Sequence, residues 1–287
     1  MEVTKVVQTV KMIVDEPSVT RYQGEDILDT VVLGDALQVL PKFPGGIADM
    51  VFLDPPYFLQ LPQKRLVRWK VKTLVEGVDE DWDKFASFSE YDEFIAKILQ
   101  EIQRLMKSTA TLWVIGTYHN IHRIGKIMQD LGFWILNDVI WVKTNAMPNW
   151  LNVRFTNATE TLIWAVKDKS VKGYTFHAER ARQFSPSRFK LAVNVWELPI
   201  CTGEERLKDD KGRKLHPTQK PEALLERVIL VSTNEGDVIL DPMCGTGTTG
   251  VVAMRHRRHF IMVEKERKYV EACVQRLQKE QQQFRIW

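Results

Sequence analysis

The chain has 287 residues, enough to bury a sizeable core as one large domain or two modest ones. With 44% hydrophobic and 27% charged residues, 15 Gly and 12 Pro, it is not a collagen-like, low-complexity or wholly disordered chain. The net charge of +3 hides an uneven distribution, since Lys167 to Lys220 holds thirteen Lys or Arg against seven Asp or Glu.

No run of eighteen apolar residues offers a membrane span. Met1 to Val14, with Lys5 and Lys11 among short apolar pairs, lacks the continuous core of a signal peptide. Cys201, Cys244 and Cys273 are odd in number and far apart, with no Cys-x-x-Cys pair. Neither a disulfide framework nor a structural zinc site is expected, no His/Cys cluster has metal-ligand spacing, and a reducing cytoplasm fits.

In chain order, Thr30 to Leu33 reads as a strand ending at Gly34-Asp35, and Asp49 to Leu53 as a second strand entering Asp54-Pro55-Pro56-Tyr57. Residues 58 to 86 have no clean period and read as a long loop, usually a functional feature in a compact domain. The loop carries Lys64, Arg65, Arg68, Lys70 and Lys72 interleaved with Leu66, Val67, Trp69 and Val71, a pattern suited to a polyanion or to a solvated loop. Ser89 is expected to cap a helix in which Tyr91, Phe94, Ile95, Ile98, Leu99, Ile102 and Leu105 recur at helical spacing. Thr111 to Ile115 predicts a strand, Ile121 to Leu131 a helix, Phe133 to Val142 an extended run and Thr161 to Val166 another strand. Between Lys167 and His216 the period breaks down into a polar, basic insertion. Pro221 is placed at the first position of a helix running through Val231. Asp237 to Leu240, Thr248 to Met254, His259 to Val263 and Glu266 to Gln281 complete the pattern as strand, helix, strand and helix. His256 and His259 are read as surface positions at a helix end.

Strand and helix in alternation predict an α/β fold, a doubly wound, mostly parallel sheet interrupted by an insertion of roughly fifty residues. Residues 1–166 and 216–287 are expected to form the two parts of one domain, and 167–215 the insertion.

Two stretches carry chemistry. Asp237 to Gly250 is strand, glycine-rich turn and helix, with Gly245, Gly247 and Gly250 spaced G-x-G-x-x-G. Glycine lets backbone approach a ligand, and the helix start offers free N–H groups. Glu264, twenty-three residues after Asp241, closes the next strand where a carboxylate can accept from ribose hydroxyls. A nicotinamide or flavin cofactor, or a tight turn with no ligand, would also account for the glycines. Asp241 argues for a ligand with a cationic amino-acid moiety, because a carboxylate is unhelpful beside a pyrophosphate.

The second stretch is Asp54-Pro55-Pro56-Tyr57. Two prolines force a rigid, extended exit from the strand. A carboxylate, a fixed carbonyl and an aromatic ring side by side can hold an amine-bearing planar base. Asp54 takes one amino hydrogen, the Pro55 carbonyl the other, and Tyr57 stacks on the ring. A Pro-Pro strand terminator behind an ordinary Asp is the plainer alternative.

Together, Asp54-Pro-Pro-Tyr57 and Asp241-Pro-Met-Cys-Gly-Thr-Gly247 resemble the amino-group DNA methyltransferases that use S-adenosylmethionine. The base motif precedes the cofactor motif, with a variable basic segment between them, as in the permuted β class. Gly34-Asp35-Ala-Leu, Trp113 to Asn120, Leu131 to Asp138, Trp141 to Asn149, Cys201 to Arg206 and His216-Pro-Thr-Gln-Lys-Pro221 extend the likeness over nearly the whole chain. They look specifically like the CcrM-type and HinfI-type adenine methyltransferases, which modify the adenine of GANTC.

The resemblance implies a circularly permuted, Rossmann-like methyltransferase fold with a basic target-recognition insertion. By matching position it implies Asp54, Pro55, Pro56 and Tyr57 as the catalytic adenine site. Asp241, Met243, Cys244, Gly245, Gly247, Thr248 and Glu264 fall at the cofactor, with Asp35 at its adenine end and Thr218, Gln219 and Lys220 at its methionine end. DNA contacts are expected from Lys64, Arg65, Arg68, Asn145, Asn149, Arg154, Arg180, Arg182 and Arg188. A homodimer and a cognate restriction endonuclease are further expectations from the likeness. The implied reaction is direct in-line transfer to N6 without a covalent enzyme intermediate, so Cys244 is a buried small residue and not a nucleophile.

The chain departs from those relatives in places. Met243-Cys244 stands for Phe-Phe, Thr159-Glu160 for His-Glu and Asn145-Ala146-Met147 for Asn-Pro-Met, and the relatives continue into a C-terminal extension where this chain stops at Trp287. Three alternatives stay open at this point. They are the same chemistry on cytosine N4, a dinucleotide-dependent oxidoreductase that leaves Asp54 to Tyr57 unexplained, and a DNA-binding subunit without activity.

Overall fold

Strands whose two faces are both apolar need helices on both sides, and the computed structural model has them. It describes residues 10–59, 66–67, 74–75, 81–149 and 153–284. The elements are β1 (Lys11–Val14), β2 (Thr30–Leu33), α1 (Ala36–Val39), β3 (Ala48–Leu53), β4 (Leu66–Val67), β5 (Leu74–Val75), α2 (Phe88–Leu105), β6 (Met106–Gly116), α3 (Ile121–Asp130) and β7 (Trp134–Lys143). They continue with β8 (Thr159–Val166), α4 (Ala178–Gln183), β9 (Val195–Leu198), α5 (Glu222–Ser232), β10 (Val238–Asp241), α6 (Thr248–Arg255), β11 (His259–Glu264) and α7 (Arg267–Phe284).

Nine strands form one sheet in the order β1-β2-β11-β10-β3-β6-β8-β7-β9. Only β8 runs antiparallel to its neighbours β6 and β7. Along β3, Val51 and Leu53 pack with α2 and α3 on one face, while Met50 and Phe52 pack with α5, α6 and α7 on the other. The fold is thus doubly wound. β3 and β10 are parallel neighbours, with Met50 opposite Ile239 and Val51 opposite Leu240. The helix after β3 covers one face and the helix after β10 the other, so a crevice opens beyond their carboxyl ends. Asp54 and Asp241 both stand at that crevice, although 187 positions separate them.

Several local expectations are corrected. The α2 cap is Ser87, whose extended backbone lets its hydroxyl accept from Glu90 N, and not Ser89. Pro221 sits just outside α5 as its N-cap, with extended backbone. The basic insertion is not without regular structure, because it contains α4 and β9, and β9 extends the main sheet beside β7. The long loop holds an antiparallel pair, β4 and β5, and a single helical turn at Asp81–Asp83. His259 is the first residue of β11 and half-buried, its Nδ1 2.8 Å from an Asp29 carboxylate oxygen, while His256 meets Glu226 at 3.1 Å. Lys64, Arg65 and Arg68 lie outside the described residues.

Candidate active site at the sheet switch point

On the β10 side the chain folds by its own backbone. Gly247 adopts φ +78, and a Cβ there would lie 2.2 Å from Cys273 Sγ, so only glycine fits between the turn and α7. Gly247 N donates to Cys244 O at 2.9 Å, and Cys244 N to Val263 O at 3.0 Å, binding the turn to β11. Asp241 is 3% exposed; one oxygen accepts from Met243 N at 3.1 Å and the other from the Thr249 hydroxyl. Burial pushes the Asp241 carboxyl up to about 7, although those bonds pull the other way. Glu264 accepts from Gly245 N at 3.0 Å and Glu266 N at 2.8 Å, and burial raises it too. Asp35 caps α1 by accepting from Leu37 N at 2.9 Å.

On the β3 side, side chains from elsewhere hold the loop. Asp83 accepts from the backbone N–H groups of Tyr57, Phe58 and Leu59 at 2.6, 2.7 and 3.0 Å. Phe58 is held at φ +49, a conformation rare for a bulky side chain. Tyr91 donates its hydroxyl proton to Pro56 O at 2.8 Å, and the Asn120 amide donates to the Tyr91 oxygen at 3.2 Å. The Tyr57 hydroxyl donates to Glu160 at 3.0 Å, and Glu160 pairs with Lys143 at 2.8 Å.

Between the two sides stands Lys220. Its ammonium meets Asp54 Oδ1 at 3.0 Å and Oδ2 at 2.7 Å, and lies 5.1 Å from the centre of the Tyr57 ring. Burial pushes Asp54 above the usual carboxylate range against the pull of Lys220. Burial draws Lys220 down, but the Asp54 and Glu160 carboxylates outweigh it and hold the ammonium charged.

Both sides open into one cavity of about 310 Å³. It brings together Asp35, Asp54, Pro55, Pro56, Tyr57, Thr218, Gln219, Lys220, Asp241, Met243, Cys244, Gly245, Thr248 and Glu264. Gly247 lies behind the wall, supporting the turn. Gln219 is turned toward residues 205–207, accepting from Leu207 N and donating to Glu205 O. His216, flanked by Trp82 and Tyr269, also lines the cavity, and burial lowers it to about 3, so it is neutral at ordinary pH.

The expected DNA-contacting residues are more scattered. Asn145, Asn149 and Arg154 belong to the exposed β7–β8 connection, on the cavity's edge of the sheet. Asn145 accepts from Ile200 N, Asn149 donates to Arg154 O, and Arg154 reaches the Tyr118 hydroxyl. Arg188 pairs with Glu197 on β9 and Arg182 with Glu179. Arg180 is not brought to the cavity; it borders a recess with Asn234, Glu235 and Arg257 at the opposite edge of the sheet. Sequence reasoning missed Asp83, Tyr91 and Asn120 as loop holders, and it placed Glu160 only as a departure near the DNA side.

Fold and cavity define a Rossmann-like domain with a candidate ligand site at the switch point. The chain belongs to the N6/N4 DNA methylase family, whose model matches residues 48–275. It is 48% identical over 252 residues to the type II methyltransferase M.HinfI of Haemophilus influenzae, covering 88% of this chain and 69% of that protein. It is 38% identical over 258 residues to the type II methyltransferase M2.LlaDCHI of Lactococcus lactis subsp. cremoris, covering 90% and 91%. Among solved structures, the M1.HpyAVI–SAM complex matches with a TM-score of 0.61 and 25% identity, over 86% of this chain and 98% of that one. The cytosine-N4-specific PvuII DNA methyltransferase matches with a TM-score of 0.63 and 19% identity over 88% and 91%, a likeness of fold.

Proposed function

We propose that the chain methylates N6 of an adenine flipped out of duplex DNA, using S-adenosylmethionine, with GANTC as the target. The observation that carries this reading is the Asp54 carboxylate beside the Tyr57 ring, in the same cavity as Asp241 and Glu264. The cavity fits the cofactor on its own chemistry. Asp241 is a buried carboxylate whose hydrogen bonds among the described residues come from Met243 N and the Thr249 hydroxyl, so an ammonium group would compensate its charge, and Glu264 keeps acceptor capacity for ribose hydroxyls. The M1.HpyAVI complex supports the same choice.

The cofactor supplies an electrophilic methyl group on a sulfonium. This chain's residues supply position. Asp54 accepts one proton of the adenine amine and the Pro55 carbonyl the other, which favours a pyramidal nitrogen with an available lone pair. Tyr57 stacks on the base, its orientation fixed through Glu160. Pro56 is locked by Tyr91, and Asp83 holds the three following N–H groups, so the loop is set before the base arrives. Asp54, pushed up by burial, is suited to take the proton that N6 sheds. Flipping costs a few kcal/mol, which contacts in this pocket must offset.

Asp at position 54 favours adenine over cytosine N4, because related cytosine enzymes can carry Ser there. Residues 167–215, with α4 and β9, are assigned to target recognition together with the β7–β8 connection. A homodimer and a cognate restriction endonuclease are proposed partners, from the likeness to β-class relatives alone. Incubation with S-adenosylmethionine and unmethylated genomic DNA, then nucleoside analysis and mapping, tests the reading. N6-methyladenine within GANTC is expected. N4-methylcytosine overturns the base, N6-methyladenine at another site overturns the target, and DNA binding without methylation overturns the activity.

A further inference from the structure

The cavity holds one arrangement that the proposed reaction cannot use as it stands. Lys220 spends its three ammonium protons on Asp54 Oδ1 at 3.0 Å, Asp54 Oδ2 at 2.7 Å and Thr218 O at 3.4 Å. The same ammonium lies over the Tyr57 ring. It therefore occupies both features assigned to the adenine, the carboxylate that takes its amine proton and the ring face on which it stacks. A base cannot sit there until the ammonium leaves.

Where the ammonium can go follows from the charges of the cavity. Asp35, Asp54, Asp83, Asp241 and Glu264 line it with acidic side chains, and among the described lining residues Lys220 is the buried cation, Lys84 and Lys265 being exposed. His216 is held neutral by burial. A ligand bearing its own carboxylate, as S-adenosylmethionine does, needs a cation within this cavity, and Lys220 is placed to provide it. The backbone at Lys220 is fixed, since its carbonyl accepts from the buried Thr248 hydroxyl at 3.3 Å, on the cofactor side. Only the flexible four-carbon stem has to turn. Exchanging one carboxylate for another keeps the ammonium paired in both positions, and Asp54, left without its cation, is compensated by the adenine amine it then accepts from.

We propose that Lys220 is a two-position switch, paired with Asp54 while the cofactor is absent and drawn onto the cofactor's carboxylate when it binds, so that Asp54 and the Tyr57 face open to adenine only afterwards. This rests on the cofactor and base proposed above. It makes cofactor and target binding mutually reinforcing, because a base seated on Asp54 equally releases Lys220 for the cofactor.

Binding, without turnover, tests it. Affinities are measured for duplexes carrying adenine or purine, which lacks the 6-amino group, at the methylated position. Each is measured alone, with S-adenosylhomocysteine, and with decarboxylated S-adenosylhomocysteine. For the wild-type chain, S-adenosylhomocysteine is expected to raise the preference for adenine over purine by about 10-fold, within the usual range of coupling between sites. The decarboxylated compound is expected to leave it unchanged. In Lys220→Met the preference should be the same under all three conditions. An equal rise with the decarboxylated compound, or a rise that persists in Lys220→Met, overturns the switch. The wild-type comparison decides the matter by itself if the variant does not fold. Failure of S-adenosylhomocysteine to bind at all removes the cofactor assignment along with the switch, whereas binding with an unchanged preference removes the switch alone.

Discussion

The two walls of the cavity are built in different ways. The β10 wall is local: within ten consecutive residues, Asp241 to Gly250, backbone turn, glycine conformation and helix start make the surface, and β11 closes it. The β3 wall is assembled from a distance. Its tetrapeptide is held by Asp83, Tyr91, Asn120 and Glu160, and its carboxylate by Lys220, which lies 166 positions away. A wall made of backbone can be broken only by steric insult, whereas a wall made of side chains can be loosened one hydrogen bond at a time.

Substitution should separate the two. Gly247→Ala forces a Cβ to within 2.2 Å of Cys273 Sγ at φ +78. Left-handed strain and overpacking each cost about 1–3 kcal/mol, so a lowered Tm and a loss of cofactor binding are expected together. Asp54→Asn, by contrast, should leave cofactor binding no weaker, and tighter where it frees Lys220, while lowering turnover by at least ~100-fold, the scale of losing a positioned catalytic group. Asp83→Asn weakens three charge-assisted bonds to the backbone of Tyr57, Phe58 and Leu59. About a 10-fold fall in kcat/KM for DNA, with cofactor affinity unchanged, is the expected result in steady-state and binding assays. If Asp83→Asn instead weakens the cofactor as much as the base, the two walls are not separable.

The pH dependence of the β10 wall has a definite sign. Asp241 in the fold titrates at about 7 against 3.8 for the ordinary side chain, so the native state binds the extra proton between those values. Its contribution to stability is fully present below about 4 and is lost as pH rises through 7. A ligand with an ammonium beside Asp241 needs the ionised form, so cofactor affinity should rise about 10-fold between pH 6 and pH 8 by calorimetry. Asp241→Asn should flatten that rise. The smallest effect is expected from Glu160→Gln, which keeps an acceptor for the Tyr57 hydroxyl but not the charge paired with Lys143. A change of a few-fold in KM for DNA, with kcat nearly retained, would place Glu160 as a positioning residue.

The same contrast explains what could be read from the residues alone. Strand and helix positions, the switch between cofactor and base motifs, and most cavity residues were legible because each is written in a short run with its own period or turn chemistry. The edge strands β1 and β9 were not, being four residues each and only partly buried. Asp83 and Asn120 carry no local signal, since an Asp in a loop and an Asn before a helix have many uses, and only the fold brings them to residues 56–59. Tyr91 was read as one of the apolar positions of α2; its ring is packed there, but its hydroxyl reaches Pro56. Lys220 was expected at the cofactor's methionine end, and its partner across the crevice, Asp54, could not be seen from the His216 to Pro221 segment.

The proposed reaction turns on Asp54 acting on an adenine amine. Its most direct test is the amount and identity of methylated nucleoside made by the wild-type chain and by Asp54→Asn, side by side, with equal cofactor occupancy verified by calorimetry. N6-methyladenine is expected from the wild-type chain, with at least ~100-fold slower formation by the variant. N4-methylcytosine as the product, or an unchanged rate in the variant, would contradict it.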